Sequence, residues 1–216
     1  DGIRDLVRSR GLGDVYKRQD QLRDDQPPGE PNAPEHTYLG MMIRNMDLMI
    51  PALGGDAGLQ VFRGRLRERG ILLMLDFVPN HLARDHAWIT QHPQRLMQGD
   101  ASSLARQPGN YFEVTTSGQW QVFAHGRDPS FDGWSDTVQL DYRSAGTRRA
   151  MADLLLSLAT RCDGVRCDMA MLVTHDTFLR TWGGQFEPPR AEFWPAAITD
   201  LHALHPDFLM LAEVYW

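Results

Sequence analysis

The stretch RCDGVRCDMA, Arg161 to Ala170, sets charged side chains inside what otherwise reads as a short buried strand. A charge taken out of water costs several kcal/mol unless it is paired. Side chains two residues apart on a strand share a face, which puts Arg166 and Asp168 on the same side. Two readings are open at this point. One is a structural ion pair; the other is a functional carboxylate kept ionised by the arginine beside it. The flanking sequence has to choose.

Upstream, residues 145–160 place Met151, Leu154, Leu155 and Leu158 on one helical face. The unit is a helix, a short turn and an apolar strand, and the same unit recurs. Residues 57–69, AGLQVFRGRLRER, put Leu59, Phe62 and Leu66 at helical spacing with arginines opposite, and Gly70 closes that helix. ILLMLDFVPN, residues 71–80, then runs continuously apolar, as a parallel strand buried on both faces does. Residues 189–204 hold a further helix with Phe193, Ile198 and Leu201 towards the core, followed by DFLMLAEVYW, residues 207–216. Strands alternating with amphipathic helices indicate a parallel α/β architecture.

Each of the three strands ends in a carboxylate: Asp76, Asp168 and Glu213. Period-two parity puts Leu72, Met74 and Asp76 on one face of the first strand. It puts Gly164, Arg166 and Asp168 on one face of the second, and Leu209, Leu211 and Glu213 on one face of the third. Active sites of parallel α/β folds gather at the carboxyl ends of the strands. Three acids converging there from separate strands point to chemistry rather than to a solvated surface.

DFVPNH (Asp76–His81), GVRCD (Gly164–Asp168) and AEVYW (Ala212–Trp216) resemble, in order, the first three signature regions of the α-amylase superfamily, glycoside hydrolase family 13. The resemblance implies a partial (β/α)8 TIM barrel, about strands two or three to five. Residues 20–81 and 144–216 would form the barrel part. Residues 82–143 would be a domain B-like insertion after strand three. It further implies a retaining α-glucosidic hydrolase or transglycosylase acting on α-glucans or related sugars, through a covalent glycosyl-enzyme. Asp168 would be the nucleophile and Glu213 the general acid/base, with a raised pKa on the acid. Arg166 would keep Asp168 ionised and oriented, and Asp76 and His81 would line the sugar subsite. No cofactor is required by that chemistry. The family's common calcium site uses the motif Asn, here Asn80, and a His four residues after the nucleophile. That position is Leu172, so a structural role for Asn80 is the alternative.

Residues 1–19, DGIRDLVRSRGLGDVYKRQ, tilt basic, lack periodicity and resemble translated adapter sequence; they are expected to be a non-native or disordered leader. Residues 20–36 read as loop, and YLGMMIRNMDLMIPALGG, residues 38–55, fits a strand or a helix equally. The family's third carboxylate is expected beyond Trp216, and the chain as given to be inactive, with Leu72, Met74, Leu209 and Leu211 uncovered.

Net charge is −6 and the sequence pI about 5.7, which argues against a nucleic-acid partner. No apolar run approaches the ~20 residues of a membrane span. Cys162 and Cys167, on one extended segment, are too far apart for a disulfide, and free thiols favour a reducing compartment, hence the cytoplasm. The partner expected is a carbohydrate substrate.

Two other function classes compete with this reading. HLARDH, His81 to His86, resembles a metal-hydrolase cluster, but Ala83 stands where a middle histidine would be. A non-catalytic amylase-like scaffold is the other, and it has no use for two acids at strand ends. In the insertion, Tyr111, Trp120, Phe131 and Trp134 are expected to form its own core, and His125 to lie on a loop surface.

Overall fold

A computed structural model describes residues 54–116 and 118–215. The readings of residues 1–19, 20–36 and most of 38–55 lie outside them.

The organising element is a three-stranded parallel sheet of β1 (Met74–Phe77), β7 (Gly164–Cys167) and β8 (Leu209–Ala212), with β7 in the centre. Register aligns Met74 with Gly164 and Leu209, and places Asp76 beside Arg166 and Arg166 beside Leu211. Gly164 is required by close approach: a Cβ there would meet the Leu209 carbonyl oxygen at 2.7 Å. The strands are linked by α1 (Gly55–Arg67), which precedes β1, α4 (Ala145–Ala159), which precedes β7, and α6 (Phe193–Leu204), which precedes β8. This is the helix–strand alternation read from the sequence.

One face of the sheet is core. Phe77, Val165 and Cys167 pack there with Met151, Leu155 and Leu158 of α4 and with Phe193, Ala197 and Leu201 of α6. Ser144 caps α4, its hydroxyl accepting from the Thr147 amide. The other face is open: Leu72, Met74, Leu209 and Leu211 are 57, 40, 46 and 56% exposed. The expectation of strands buried on both faces is therefore corrected. The apolar residues of alternating parity do not share one core; half face helices and half face outward, as the uncovered set expected from barrel geometry does.

α1 also departs from the expected pattern. Leu59 is buried, but Phe62 is half exposed, Arg63 turns inward, and Arg67 reaches the same acid from the exposed side. Arg63 Nε and Nη2 donate to Asp163 Oδ1 at 3.1 and 2.8 Å, Arg67 Nη2 donates to the same oxygen, and the Leu73 amide donates to Oδ2 at 2.9 Å. Together these donors outweigh burial and hold the Asp163 carboxyl down at about 2. Asp163 thus locks α1 and the entrance of β1 to the entrance of β7.

Between β1 and α4 the chain builds its own antiparallel pieces. β2 (His81–Ala83) pairs with β6 (Thr137–Gln139), and β3 (Gln98–Gly99), β5 (Gln119–Ala124) and β4 (Tyr111–Thr116) form a second sheet. α2 (Trp88–Gln91) and α3 (Ala101–Arg106) lie among them. The core here is Leu82, Leu96, Phe112, Val122, Phe123, Val138 and Leu140. Two expectations fail in this segment. Trp120 and Phe131 are 49 and 72% exposed rather than core, while Tyr111 and Trp134 are half-buried. His125 is buried, not a surface loop residue: it follows the last residue of β5, its ring stacks on Phe112 at 4.6 Å, and burial lowers its pKa.

After β7 comes an element the sequence reading missed. A buried 3-10 turn, Ala170–Val173, leads into α5 (His175–Trp182), whose Phe178 and Thr177 are buried. Cys162 and Cys167 are both free and buried.

Candidate active site

The carboxyl end of the parallel sheet carries the acids. Asp76 is inside β1, while Asp168 and Glu213 each sit one residue past the end of their strand. They are nevertheless fixed, because the backbone ladder continues beyond the strands: the Asp168 amide donates to the Phe77 carbonyl at 2.9 Å, and the Glu213 amide to the Cys167 carbonyl at 3.0 Å.

Arg166 projects from the central strand and reaches all three strands. Its Nη1 lies 3.0 Å from Asp76 Oδ1 and 3.2 Å from Asp168 Oδ1; its Nη2 lies 2.6 Å from Glu213 Oε2. A planar fork of donors suits this task better than an ammonium point charge. Glu213 collects two further donors, the Met169 amide at 3.3 Å on Oε2 and the Tyr215 hydroxyl on Oε1. Met169 adopts a left-handed backbone, φ 46°, an unfavourable conformation for a side chain of that size.

One cation faces three acids, so full ionisation would leave two uncompensated negative charges. The Asp168–Glu213 pair relieves this by giving up its last proton only at a raised pH. Burial, then the hydrogen bond and charge of neighbouring Glu213, push the Asp168 carboxyl up to about 6 against the pull of Arg166. Burial also acts to raise Glu213, but Tyr215, the Met169 amide, Asp168 and Arg166 together lower it. For Arg166, burial is outweighed by Asp76, Glu213 and Asp168, which raise its pKa. The resting assignment is the reverse of the expectation that the acid/base Glu213 carries the raised pKa. The reason is burial at Asp168, set against the Tyr215 hydroxyl and the Met169 amide, which reach Glu213 only.

His81 and Asn80 belong to a different environment. His81 begins β2, is buried, stacks with Trp134 at a ring distance of 5.1 Å and is held neutral, burial lowering its pKa to about 4. Asn80 is a polar neighbour, with Nδ2 at 3.4 Å from the ring Nδ1. Ion pairs thus join Asp76, Arg166, Asp168 and Glu213, while the contacts of His81 and Asn80 run to each other and to Trp134 and Gln139 of the insertion.

The calcium expectation is tested by Asn80's own contacts. Its side-chain Oδ1 accepts from Gln139 Nε2 at 3.0 Å, and its backbone carbonyl accepts from the same nitrogen at 2.8 Å. Leu172 is buried and brings no side-chain donor. The donor set does not fit a calcium ion held as the resemblance implies. As for the HLARDH cluster, the His86 ring nitrogen Nδ1 accepts from the Trp88 amide at 3.1 Å, and among the described residues no group of three or more His, Cys, Asp or Glu is placed to hold a metal.

Two residues of the acid cluster are absent from the sequence expectation, Tyr215 and Met169, which both act on Glu213. Their signal is proximity: Met169 follows Asp168 and Tyr215 lies two residues after Glu213. Outside the cluster, Gln139 acts on Asn80.

The fold is of the parallel α/β class that barrel enzymes use, with its acids at the strand ends. The family model for the α-amylase catalytic domain matches residues 29–216, and the chain belongs to that family. Among solved structures, an α-amylase from Lactobacillus plantarum is 29% identical, with a TM-score of 0.50 over 73% of this chain and 28% of that one. A trehalose-6-phosphate hydrolase from Bacillus licheniformis is 14% identical, with a TM-score of 0.61 over 93% of this chain and 40% of that one. An isomaltulose synthase variant from Erwinia rhapontici NX5, in complex with its natural substrate sucrose, is 15% identical, with a TM-score of 0.59 over 80% of this chain and 34% of that one. The chain spans well under half the length of these structures. No curated protein matches the sequence. Among the described residues, no helix is long and apolar enough to cross a membrane.

Proposed function

We propose that this chain carries the nucleophile and the acid/base of a retaining α-glucosidic hydrolase or transglycosylase, whose substrate is an α-glucan or a related sugar. β1, β7 and β8 are then barrel strands three to five, and residues 82–143 the insertion that follows strand three. The observation that carries the reading is Arg166, which ties Asp168 and Glu213 together at neighbouring strand ends.

In the first step the Asp168 carboxylate attacks the anomeric carbon. The bond to the leaving oxygen breaks as Glu213 delivers its proton there. In the second step the Glu213 carboxylate takes a proton from water, or from a sugar hydroxyl in transfer. That oxygen attacks the same carbon, releasing Asp168. Step one needs a charged Asp168 and a protonated Glu213, the reverse of the order in which their pKa values are shifted at rest. A sugar oxygen that displaces the Tyr215 hydroxyl, the Met169 amide or Arg166 from Glu213 would favour its protonated form. Asp76 and Arg166, 41 and 36% exposed, are open to substrate hydroxyls. The chemistry needs no metal ion or other cofactor.

The test is covalent trapping in a full-length protein carrying this segment. A fluorinated α-glucosyl substrate that stalls the intermediate is expected to label Asp168, and Asp168→Asn to abolish labelling. Label on another carboxylate overturns the assignment. Sugar binding without turnover would favour the scaffold reading.

A further inference from the structure

The contacts of Gln139 assign it a role that is separate from catalysis. Gln139 is the last residue of β6 and is fully buried. Its Nε2 lies within hydrogen-bond distance of three oxygens: the Asn80 carbonyl at 2.8 Å, Asn80 Oδ1 at 3.0 Å and the Leu140 carbonyl at 3.0 Å. An amide nitrogen has two hydrogens, so a third acceptor is in excess. Meanwhile the Gln139 Oε1 is buried without a partner among the described residues. A ring of oxygens around one electropositive centre is how a hard cation is held, though at 2.3–2.6 Å for calcium. Here the centre is a covalently attached NH2 group, and among the described residues no carboxylate makes a hydrogen bond with it.

We infer that the Gln139 carboxamide replaces a structural cation at this junction. It ties the loop after β1, through Asn80, to the strand that returns from the insertion. The amide carries no formal charge, so it needs no neutralising carboxylate at a fully buried position. It also cannot dissociate, so the tie is independent of cation concentration. His81 adjoins Asn80 on one side, and the β2–β6 pairing adjoins Gln139 on the other. The tie therefore fixes where His81 begins its strand.

The experiment compares the full chain with Gln139→Asp. Asp is one methylene shorter, so it withdraws from the three oxygens and leaves room for an ion where Nε2 was. It also supplies the missing negative charge. Thermal unfolding is followed by tryptophan fluorescence, with EDTA or with calcium chloride. Calcium bound per chain is measured by elemental analysis after equilibrium dialysis. For the wild type, the expected result is the same midpoint in both solutions and no retained calcium. For Gln139→Asp, the expected result is a lower midpoint in EDTA and recovery of several degrees in calcium, by mass action on the native state. Wild-type protein that retains one calcium per chain, or whose midpoint rises with calcium, overturns the inference. If Gln139→Asp does not fold, the wild-type dialysis decides alone. Gln139→Leu, equally insensitive to calcium but less stable, would confirm that the amide itself makes the tie; unchanged stability in that variant would also overturn it.

Discussion

Replacing Arg166 by leucine tests the cluster most directly. With the guanidinium in place, the Asp168 carboxyl titrates at about 6. At pH 7 roughly nine tenths of it is ionised, from one pH unit of separation. A cation at the contact distance seen here, 3.2 Å from Asp168 Oδ1, lowers a carboxylate by about one to three units. Its removal therefore moves Asp168 to about 7–9, and the ionised fraction at pH 7 falls to between about one half and about one hundredth. Arg166 is 36% exposed and shared among three acids, so solvent screening favours the lower part of that range. The loss of nucleophile alone then slows glycosyl-enzyme formation by about twofold to tenfold, and lost orientation adds to it. Two assays check this. Carboxyl carbon NMR of the chain should show the Asp168 titration moving upward by at least one unit. The acidic limb of the pH–rate profile in a full-length protein should move the same way. Arg166→Lys should restore part of the shift but not all three contacts. An unmoved titration with a near-normal rate would show Arg166 to be merely structural and would refute the argument.

Asp163→Asn should cost about 2 kcal/mol of stability at pH 7, from a carboxyl held near 2 against an ordinary 3.8, with side-chain exposure of 7%. Because the folded value is depressed, that contribution is complete above the unfolded value and disappears as pH falls through about 2; urea midpoints at pH 7 and pH 2 that differ equally between the two proteins would contradict it. Asp168→Asn should act oppositely. The folded carboxyl is raised to about 6, so wild-type stability declines as pH rises from about 4 to 6, and the variant should be more stable at pH 7 by on the order of 1 kcal/mol, with no advantage near pH 3. A variant less stable at pH 7 would mean that its pairing with Arg166 outweighs burial. Met169→Gly should be neutral or stabilising by up to about 1 kcal/mol, and Met169→Val destabilising by about 1–2 kcal/mol, since φ 46° suits glycine and disfavours a β-branched side chain; the reverse order in denaturant melts would place the strain elsewhere.

The parts of this structure legible in the sequence were those set by local period. Leu72, Met74 and Asp76 alternate with core residues, and so do Gly164, Arg166 and Asp168, so parity alone placed the acids and the arginine on one face. Barrel geometry likewise anticipated which leucines would be uncovered. What escaped was long-range. Asp163 finds Arg63 from 100 residues away, and helical spacing shows the arginines only as a polar stripe. His125 looked like a loop residue because histidine is polar, yet QWQVFA ends beside it and delivers its ring onto Phe112. Trp120 looked like core because indoles are large, but its Nε1 donates to Glu113 at 2.7 Å on the open side of the hairpin. The direction of the Asp168 and Glu213 shifts could not be read either. Both acids are obvious in the sequence; which one is buried and which one gains Tyr215 and the Met169 amide depends on side-chain placement.

That last point bears on how such a site works. The central strand of three offers one cation, and each strand offers one acid at its carboxyl end. Register fixes this 1:3 ratio, so the last proton leaves the cluster at a raised pH, about 6 for Asp168. In the proposed mechanism that raised value keeps a proton within reach near neutral pH, and Arg166 limits the rise so that most of Asp168 is still charged at pH 7. Between the two acids the order is set by burial, which raises Asp168, and by the Tyr215 hydroxyl and the Met169 amide, which lower Glu213, with Arg166 lowering both. On the proposed mechanism, a substrate that takes those donors from Glu213 while leaving Arg166 on Asp168 prepares the first chemical step.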